Sequence, residues 1–255
     1  MICGIDLGSR QVKIVLMHSG QLQKMISYET IEFYRQYGRQ ESNQLVLCFA
    51  NLPLGTWDKV VATGYGRNTV HVKGADNIPE IRAHVLGAIW QTKLSDFTLL
   101  DLGGQDAKVV QVRQGKIQDF LTNDRCAAST GRYLENMANV LAISPTELGQ
   151  YSDNPVDLNA TCAIFGESEL IGKVLEGHPL SRLAAGVNYT IFKRIRPMLN
   201  QLHSEVIIFT GGVALNTALQ AIIARELNVK VLVPPFPQYN GAIGCCVYGG
   251  GDLCG

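Results

Sequence analysis

Charge of one sign is missing from this sequence: 22 Lys and Arg stand against 22 Asp and Glu, so the formal net charge is zero. A strongly basic face is excluded, and with it nucleic acid as a first reading. Long apolar runs are missing too. No stretch reaches the roughly 18 apolar residues of a membrane span, and the opening MICGIDLGSRQVKIVL carries an acid where a signal peptide needs an unbroken apolar core. The expectation is a soluble, cytoplasmic protein with neither membrane nor nucleic acid as partner. Paired-cysteine motifs are also absent. The seven cysteines, Cys3, Cys48, Cys126, Cys162, Cys245, Cys246 and Cys254, contain no Cys-x-x-Cys, and an odd number in a cytosolic chain speaks against a disulfide framework. Reduced thiols, metal ligands and core residues remain open for them. Charged residues make up only 17%, against 46% hydrophobic residues and 26 scattered glycines. That profile excludes disorder, collagen and coiled coil, and 255 residues suffice for two lobes, each with its own core and with a cleft between them.

What is present is an internal repeat. Ile5-Asp6-Leu7-Gly8-Ser9-Arg10-Gln11-Val12-Lys13-Ile14-Val15 lies on Leu100-Asp101-Leu102-Gly103-Gly104-Gln105-Asp106-Ala107-Lys108-Val109-Val110 at a constant offset of 95 residues, and the match runs on through Gly20 and Gly115 to Gln23 and Gln118. Each copy reads as a strand, an Asp-Leu-Gly turn, an alternating strand, a glycine turn and a third strand. Helical spacing and a further strand follow. In the first half the strand is Lys59 to Thr63, with a helix from about Pro79 to Gln91. The second half carries helices near Gly131 to Leu141, Cys162 to Leu175 and Leu180 to Leu202, the last expected to kink or be interrupted at Pro197. Strand Val206 to Thr210, helix Val213 to Glu226, strand Val229 to Val233 and a helix near Gly241 to Tyr248 complete it. The prediction is an α/β protein of two β-β-β-α-β-α halves, residues 1–94 and 95–255, with the last helix free to pack on the first lobe.

A glycine between two strands lets the backbone approach a phosphate, and an aspartate ending the preceding strand suits hydrated Mg²⁺, which takes few carboxylates and keeps several waters. Two such turns, at Asp6 and Asp101, would grip a nucleotide tail from both sides. Val206 to Ala214 is a buried strand running into Gly211-Gly212 and a helix, a place where small residues admit a flat ring and the helix start favours anions. It is the candidate for the adenosine end.

These residues resemble the phosphate and adenosine motifs of the sugar kinase, heat-shock chaperone and actin ATPase superfamily. More narrowly, Ala62-Thr63-Gly64-Tyr65-Gly66-Arg67, Asn123-Asp124-Arg125-Cys126-Ala127-Ala128-Ser129-Thr130-Gly131-Arg132 and Gln238-Tyr239-Asn240-Gly241-Ala242 resemble the activator ATPases of 2-hydroxyacyl-CoA dehydratases. These are grouped with the ATPase subunits of benzoyl-CoA reductase. The resemblance implies a two-lobed actin-like ATPase fold with ribonuclease H-like lobes. It further implies a homodimer that shares one 4Fe-4S cluster and couples ATP hydrolysis to delivery of a low-potential electron. The cluster ligands would be Cys126 and Cys162, each just before a helix whose N-terminus favours an anionic cluster. Two thiolates per chain cannot fill a four-thiolate shell, so a twofold partner would supply the others. Cys3, Cys48, Cys245 and Cys246 read as core packing.

In the ATPase step the candidates are Asp6 and Asp101 for hydrated Mg²⁺, and Gly8, Ser9, Lys13, Gly103 and Gly104 for phosphates. Gln105 or Asp106 would place the attacking water, and Gly211, Gly212 and Gln238 would hold the nucleoside. The acceptor would be an iron-sulfur enzyme such as a dehydratase, and the donor a ferredoxin or flavodoxin. Arg10 stands where the family usually carries Thr, Ser129 where it carries Gly, and Gly166 where Ala is usual. Glu167 and Glu169 read either as nucleotide-facing or as a solvated helix face. The competing function is a small-molecule kinase of the same fold, of the amino-sugar type, with Asp106 aimed at a substrate hydroxyl and no cluster.

Overall fold

A computed structural model of the chain describes residues 1–41, 44–47, 54–64, 66, 70–123, 130–159 and 163–251. Its contacts form two compact units, Met1–Leu94 together with Gln238–Gly255, and Ser95–Pro237. The sequence division at 94 and 95 left the last helix free to return; here Gln238–Gly255 clusters with the first unit.

Unit 1 begins with the meander β1 (Ile2–Leu7), β2 (Gln11–His18) and β3 (Gln21–Glu29). Helix α1 (Thr30–Tyr37) follows, then β4 (Gly38–Glu41), β5 (Gln44–Leu47), β6 (Lys59–Thr63), β7 (Val70–Val72), β8 (Ala75–Asn77) and α2 (Glu80–Thr92). Strand β6 pairs parallel to β1, giving a five-stranded sheet of order β3-β2-β1-β6-β8. The central β1 is buried from Cys3 to Leu7, which accounts for its nearly continuous apolar reading. A second sheet of order β4-β5-β7 was not expected: strands of three or four residues are too short to display an alternation.

Unit 2 repeats the plan with β9 (Phe97–Leu102), β10 (Ala107–Arg113) and β11 (Lys116–Asn123), then α3 (Gly131–Val140), α4 (Pro145–Leu148), α5 (Ala163–Leu175), α6 (Leu180–Gln201), β12 (Val206–Thr210), α7 (Thr217–Leu227) and β13 (Lys230–Leu232). Its sheet order, β11-β10-β9-β12-β13, is the counterpart of the first. The repeat extends to irregularities. The β2–β3 register shifts between Leu16 and Met17, and the β10–β11 register shifts between Gln111 and Val112, the positions 95 residues on. Both hairpins turn through two residues of positive φ, Ser19-Gly20 and Gln114-Gly115, the combination that matches the twist of paired strands.

The core of unit 2 gathers Leu100, Val109, Tyr133, Met137, Leu183, Val187, Ile191, Phe192 and Phe209 around its sheet. Helix α6 is not interrupted at Pro197. The proline lies near the C-terminal end, where one missing N–H and one lost ladder bond are tolerated against a buried face from Leu183 to Leu199. The helix expected from Val213 is divided: a 3-10 turn over Gly212–Leu215 precedes α7, because the Asn216 side chain accepts from the Leu219 N–H at 2.8 Å and starts a new helix.

The last helix, α8 (Asn240–Gly250), packs on α2, β1 and β6 of unit 1. Glycine makes this approach possible: a Cβ at Gly244 would sit 1.7 Å from the Ala83 carbonyl oxygen. Among the described residues no helix is long and apolar enough to cross a membrane.

Candidate functional site

The two repeat aspartates end the central strands of their sheets and are nearly buried, Asp6 at 5% and Asp101 at 3% exposure. Backbone register gives each the same neighbours. Asp6 lies opposite Lys13 on β2 and Thr63 on β6; Asp101 lies opposite Lys108 on β10 and Thr210 on β12. Thr63-Gly64 and Thr210-Gly211 are thus a second matched pair. They fall at different spacings from their aspartates, so the constant-offset comparison missed them; the signal was two buried strands both ending in Thr-Gly. Gly64 and Gly211 both take positive φ, +100° and +87°, which glycine adopts without a Cβ penalty.

In unit 2 the residues form a chain of polar contacts. The Thr210 hydroxyl donates to Asp101 Oδ1 at 2.8 Å. Lys108 Nζ stands 3.9 Å from Asp101 Oδ2 and donates to Asp106 Oδ2 in close contact. Lys108 is nearly buried, at 5% exposure. The partners of a buried lysine are set by the neighbouring strand and the turn before it, and neither is visible in a period-two pattern. The Gly103 N–H donates to the Asp106 carbonyl at 3.0 Å, and a Cβ on Gly103 would fall 2.7 Å from Asp106 Oδ1. Gly8 makes the same turn, its Cβ position 2.6 Å from the Gln11 carbonyl oxygen. Where unit 2 has Asp106, unit 1 has Gln11, so only unit 2 carries the second acid. Gly104 is half-buried and Gln105 exposed.

In unit 1 the Asp6 carboxylate is walled by backbone. A Cβ on Gly64 would lie 2.7 Å from Asp6 Oδ1, and one on Gly241, at the start of α8, 2.8 Å from Oδ2 and 3.0 Å from His84 Nε2. His84 belongs to α2 and stands 4.0 Å from Glu80. Tyr34 of α1 lies near enough for burial, and then the Asp6 charge, to push its phenol up to about 12. Lys13 and Ser9 are half-buried, and Lys13 makes no ion pair among the described residues. Arg10 faces Glu29 at 3.8 Å. The nucleoside candidates Gly211, Gly212 and Gln238 are buried, exposed and half-buried respectively.

The start of α3 docks on the second glycine turn. Gly131 N–H donates to the Gly103 carbonyl at 3.0 Å, Arg132 N–H to the Gly104 carbonyl at 3.2 Å, and the Thr130 hydroxyl to the same Gly104 oxygen at 3.0 Å. Helix N–H groups that have no partner inside the first turn are satisfied there by the turn itself. Glu169 accepts from the Asn159 backbone N–H at 2.9 Å, and Glu167 from Asn136 at 3.4 Å, so both acids have partners within unit 2.

The metal candidates Cys126 and Cys162 lie outside the described residues, as do Cys48, Cys254 and Ser129. Cys3, Cys245 and Cys246 are free and fully buried. Burial pushes the Cys3 thiol up to about 12 and raises the other two as well, which keeps them protonated and unreactive.

Residues 3–249 match the BadF/BadG/BcrA/BcrD ATPase family. The chain is 38% identical over 255 residues to an uncharacterised protein of Methanocaldococcus jannaschii, covering 97% of this chain and 98% of that one. It is 33% identical over 254 residues to the (R)-2-hydroxyglutaryl-CoA dehydratase activating ATPase of Acidaminococcus fermentans, covering 96% and 95%. Among solved structures, the activator of the 2-hydroxyisocaproyl-CoA dehydratase from Clostridium difficile, with bound ADPNP, superposes with a TM-score of 0.83 at 30% identity, over 97% of this chain and 93% of that one. The fold is the α/β actin-like ATPase fold.

Proposed function

Since the chain belongs to the BadF/BadG/BcrA/BcrD ATPase family, we propose that it is a reductive activator: an ATPase that uses hydrolysis to pass a low-potential electron to an iron-sulfur acceptor enzyme. The acceptor class is a 2-hydroxyacyl-CoA dehydratase or a related reductase, in keeping with the named relatives. One observation carries the reading. The glycine turn Gly103-Gly104 is hydrogen-bonded to Thr130, Gly131 and Arg132, so the turn assigned to phosphate is tied to the residues that directly follow the Cys126 segment. A shift of the turn on hydrolysis would pull on that segment through three hydrogen bonds.

The roles follow from chemistry. Asp6 fits hydrated Mg²⁺: one nearly buried carboxylate at a strand end, flanked by Gly64 and Gly241. Gly8, Ser9 and Gly104 offer backbone and hydroxyl donors to phosphate, Gly103 closes the turn that presents them, and Lys13 adds a charge. Gly211, Gly212 and Gln238 serve the nucleoside. Asp106, half-buried beside Gly103, accepts a hydrogen bond from the attacking water, with exposed Gln105 beside it in sequence. Water oxygen bonds to the γ-phosphorus while the bond to the β,γ-bridging oxygen breaks. ADP and phosphate leave, and the proton passes to solvent. A 4Fe-4S cluster held by Cys126 and Cys162 from two copies of the chain would supply the one-electron carrier, fed by a ferredoxin or flavodoxin.

Anaerobic purification followed by iron and sulfide analysis tests this. About four irons per dimer, lost in both Cys126→Ala and Cys162→Ala, is the expected result. A colourless, iron-free protein that transfers phosphate to a sugar hydroxyl would replace the proposal with a kinase.

A further inference from the structure

Two carboxylates and one ammonium occupy the end of the β9–β10 pair, and they are not equivalent. Asp101 is nearly buried and is engaged on both oxygens, by the Thr210 hydroxyl at 2.8 Å and by the Lys108 ammonium at 3.9 Å. Asp106 retains 28% side-chain exposure and sits against Gly103. Lys108 joins the two, buried between a nearly buried acid and a more exposed one. An ammonium at this depth is strongly disfavoured unless it is paired, and the two acids supply that pairing.

We propose that Lys108 is a positioning residue for ATP hydrolysis. Anchored on Asp101, it fixes Asp106 Oδ2 and so holds the other oxygen of Asp106 at the Gly103 turn, where the attacking water must be oriented. Asp101 thereby becomes the anchor of this chain rather than the acid that meets Mg²⁺, and Asp6 takes that duty. The difference between the repeats supports the division: Lys108 lies opposite Asp101 and contacts Asp106, whereas Lys13 lies opposite Asp6 and the residue at the place of Asp106 is Gln11. Only the second lysine has a second acid to hold, which leaves Lys13 for phosphate. Without Lys108, two acids would share one site with no counter-charge, and the more exposed Asp106 would swing to solvent.

The inference rests on the ATPase reading above, and a mutant cycle separates the two. Steady-state ATP hydrolysis with Mg²⁺, and equilibrium binding of the fluorescent nucleotide mant-ADP, are measured on the full-length wild type, Lys108→Met, Lys108→Arg, Asp106→Asn and the Lys108→Met/Asp106→Asn double variant. The expected result is a kcat about 10- to 100-fold lower in Lys108→Met and in Asp106→Asn, with the double variant no worse than either single, because residues acting as a unit do not multiply. KM for ATP and mant-ADP affinity stay within about threefold, and Lys108→Arg regains about tenfold over Lys108→Met. A merely structural lysine would instead lower nucleotide binding together with kcat. That result, a kcat unchanged in Lys108→Met, or losses that multiply in the double variant each overturn the proposal. Should Lys108→Met fail to fold, the cycle of Lys108→Arg with Asp106→Asn decides by the same non-multiplying criterion. A wild type that binds mant-ADP without turning over ATP would overturn the ATPase reading itself, and this inference with it. Turnover by the wild type with an unchanged Lys108→Met overturns only the role of Lys108.

Discussion

The hydroxyl of Thr210 donates to Asp101 at 2.8 Å, whereas Thr63, its counterpart opposite Asp6, donates to the Ile78 carbonyl at 3.0 Å. Two threonines in the same strand position therefore serve different ends. Thr210 commits a carboxylate oxygen inside unit 2, and Thr63 ties β6 to the segment leading into α2. One duplicated unit is built around an acid held by side chains, and the other around an acid bordered by glycine backbone.

Thr210→Val is expected to destabilise by about 1–3 kcal/mol, because a buried Asp101 oxygen loses its donor. Thr63→Val costs about 1 kcal/mol, since only a carbonyl is affected. Urea denaturation midpoints measure both; equal losses would contradict the asymmetry.

Asp6→Asn removes the charge beside Gly64 and Gly241 without changing shape. ATP hydrolysis should fall about 100-fold while the thermal midpoint of unfolding stays close to that of the wild type. An Asp6→Asn protein with wild-type turnover would rule out Asp6 as the Mg²⁺ acid.

Gly244→Ala should disrupt the α2–α8 contact, since the added Cβ would lie 1.7 Å from the Ala83 carbonyl oxygen. A loss of about 3 kcal/mol or more, or insoluble protein, is expected. Gly172→Ala in α5 meets no atom within 4 Å and should stabilise by up to about 1 kcal/mol through helix propensity. Thermal melts of the two variants side by side test the packing of α8.

The folded chain holds the Cys3 proton more tightly than the unfolded chain does, since the thiol moves from 9.0 to about 12. Stability conferred by the buried neutral thiol is complete below pH 9.0 and drains away as pH rises toward about 12. In that window Cys3→Ala should show a stability-versus-pH slope shallower by about 1.4 kcal/mol per pH unit. Urea unfolding at successive alkaline pH values reads the difference, and identical slopes would refute it.

Much of the fold was legible because the duplication is written in residues that fix backbone shape. The Asp-Leu-Gly turns, the Gly20 and Gly115 hairpins and the strand-ending Thr-Gly pairs each constrain dihedrals locally. The strands β1, β2, β3, β9, β10 and β11 and the helices α2, α3, α6 and α8 accordingly lie close to where pattern and turn chemistry put them. The small β4-β5-β7 sheet escaped detection because its strands are shorter than one readable alternation, and the break before α7 depended on a single capping contact of Asn216.

The sequence by itself determined the duplicated plan, the two acids at the strand ends and the glycines beside them, because a strand's period and a glycine's missing Cβ act within a few residues. Only the tertiary structure decided what those acids touch. Whether Lys108 is solvated or buried between Asp101 and Asp106 depends on how β10 pairs with β9 inside unit 2, and whether α8 packs on the unit that precedes it or on the one where the chain began depends on contacts such as Asn240 with His84, 156 positions apart. Side-chain burial and pairing are properties of the packed sheet, and no local pattern carries them.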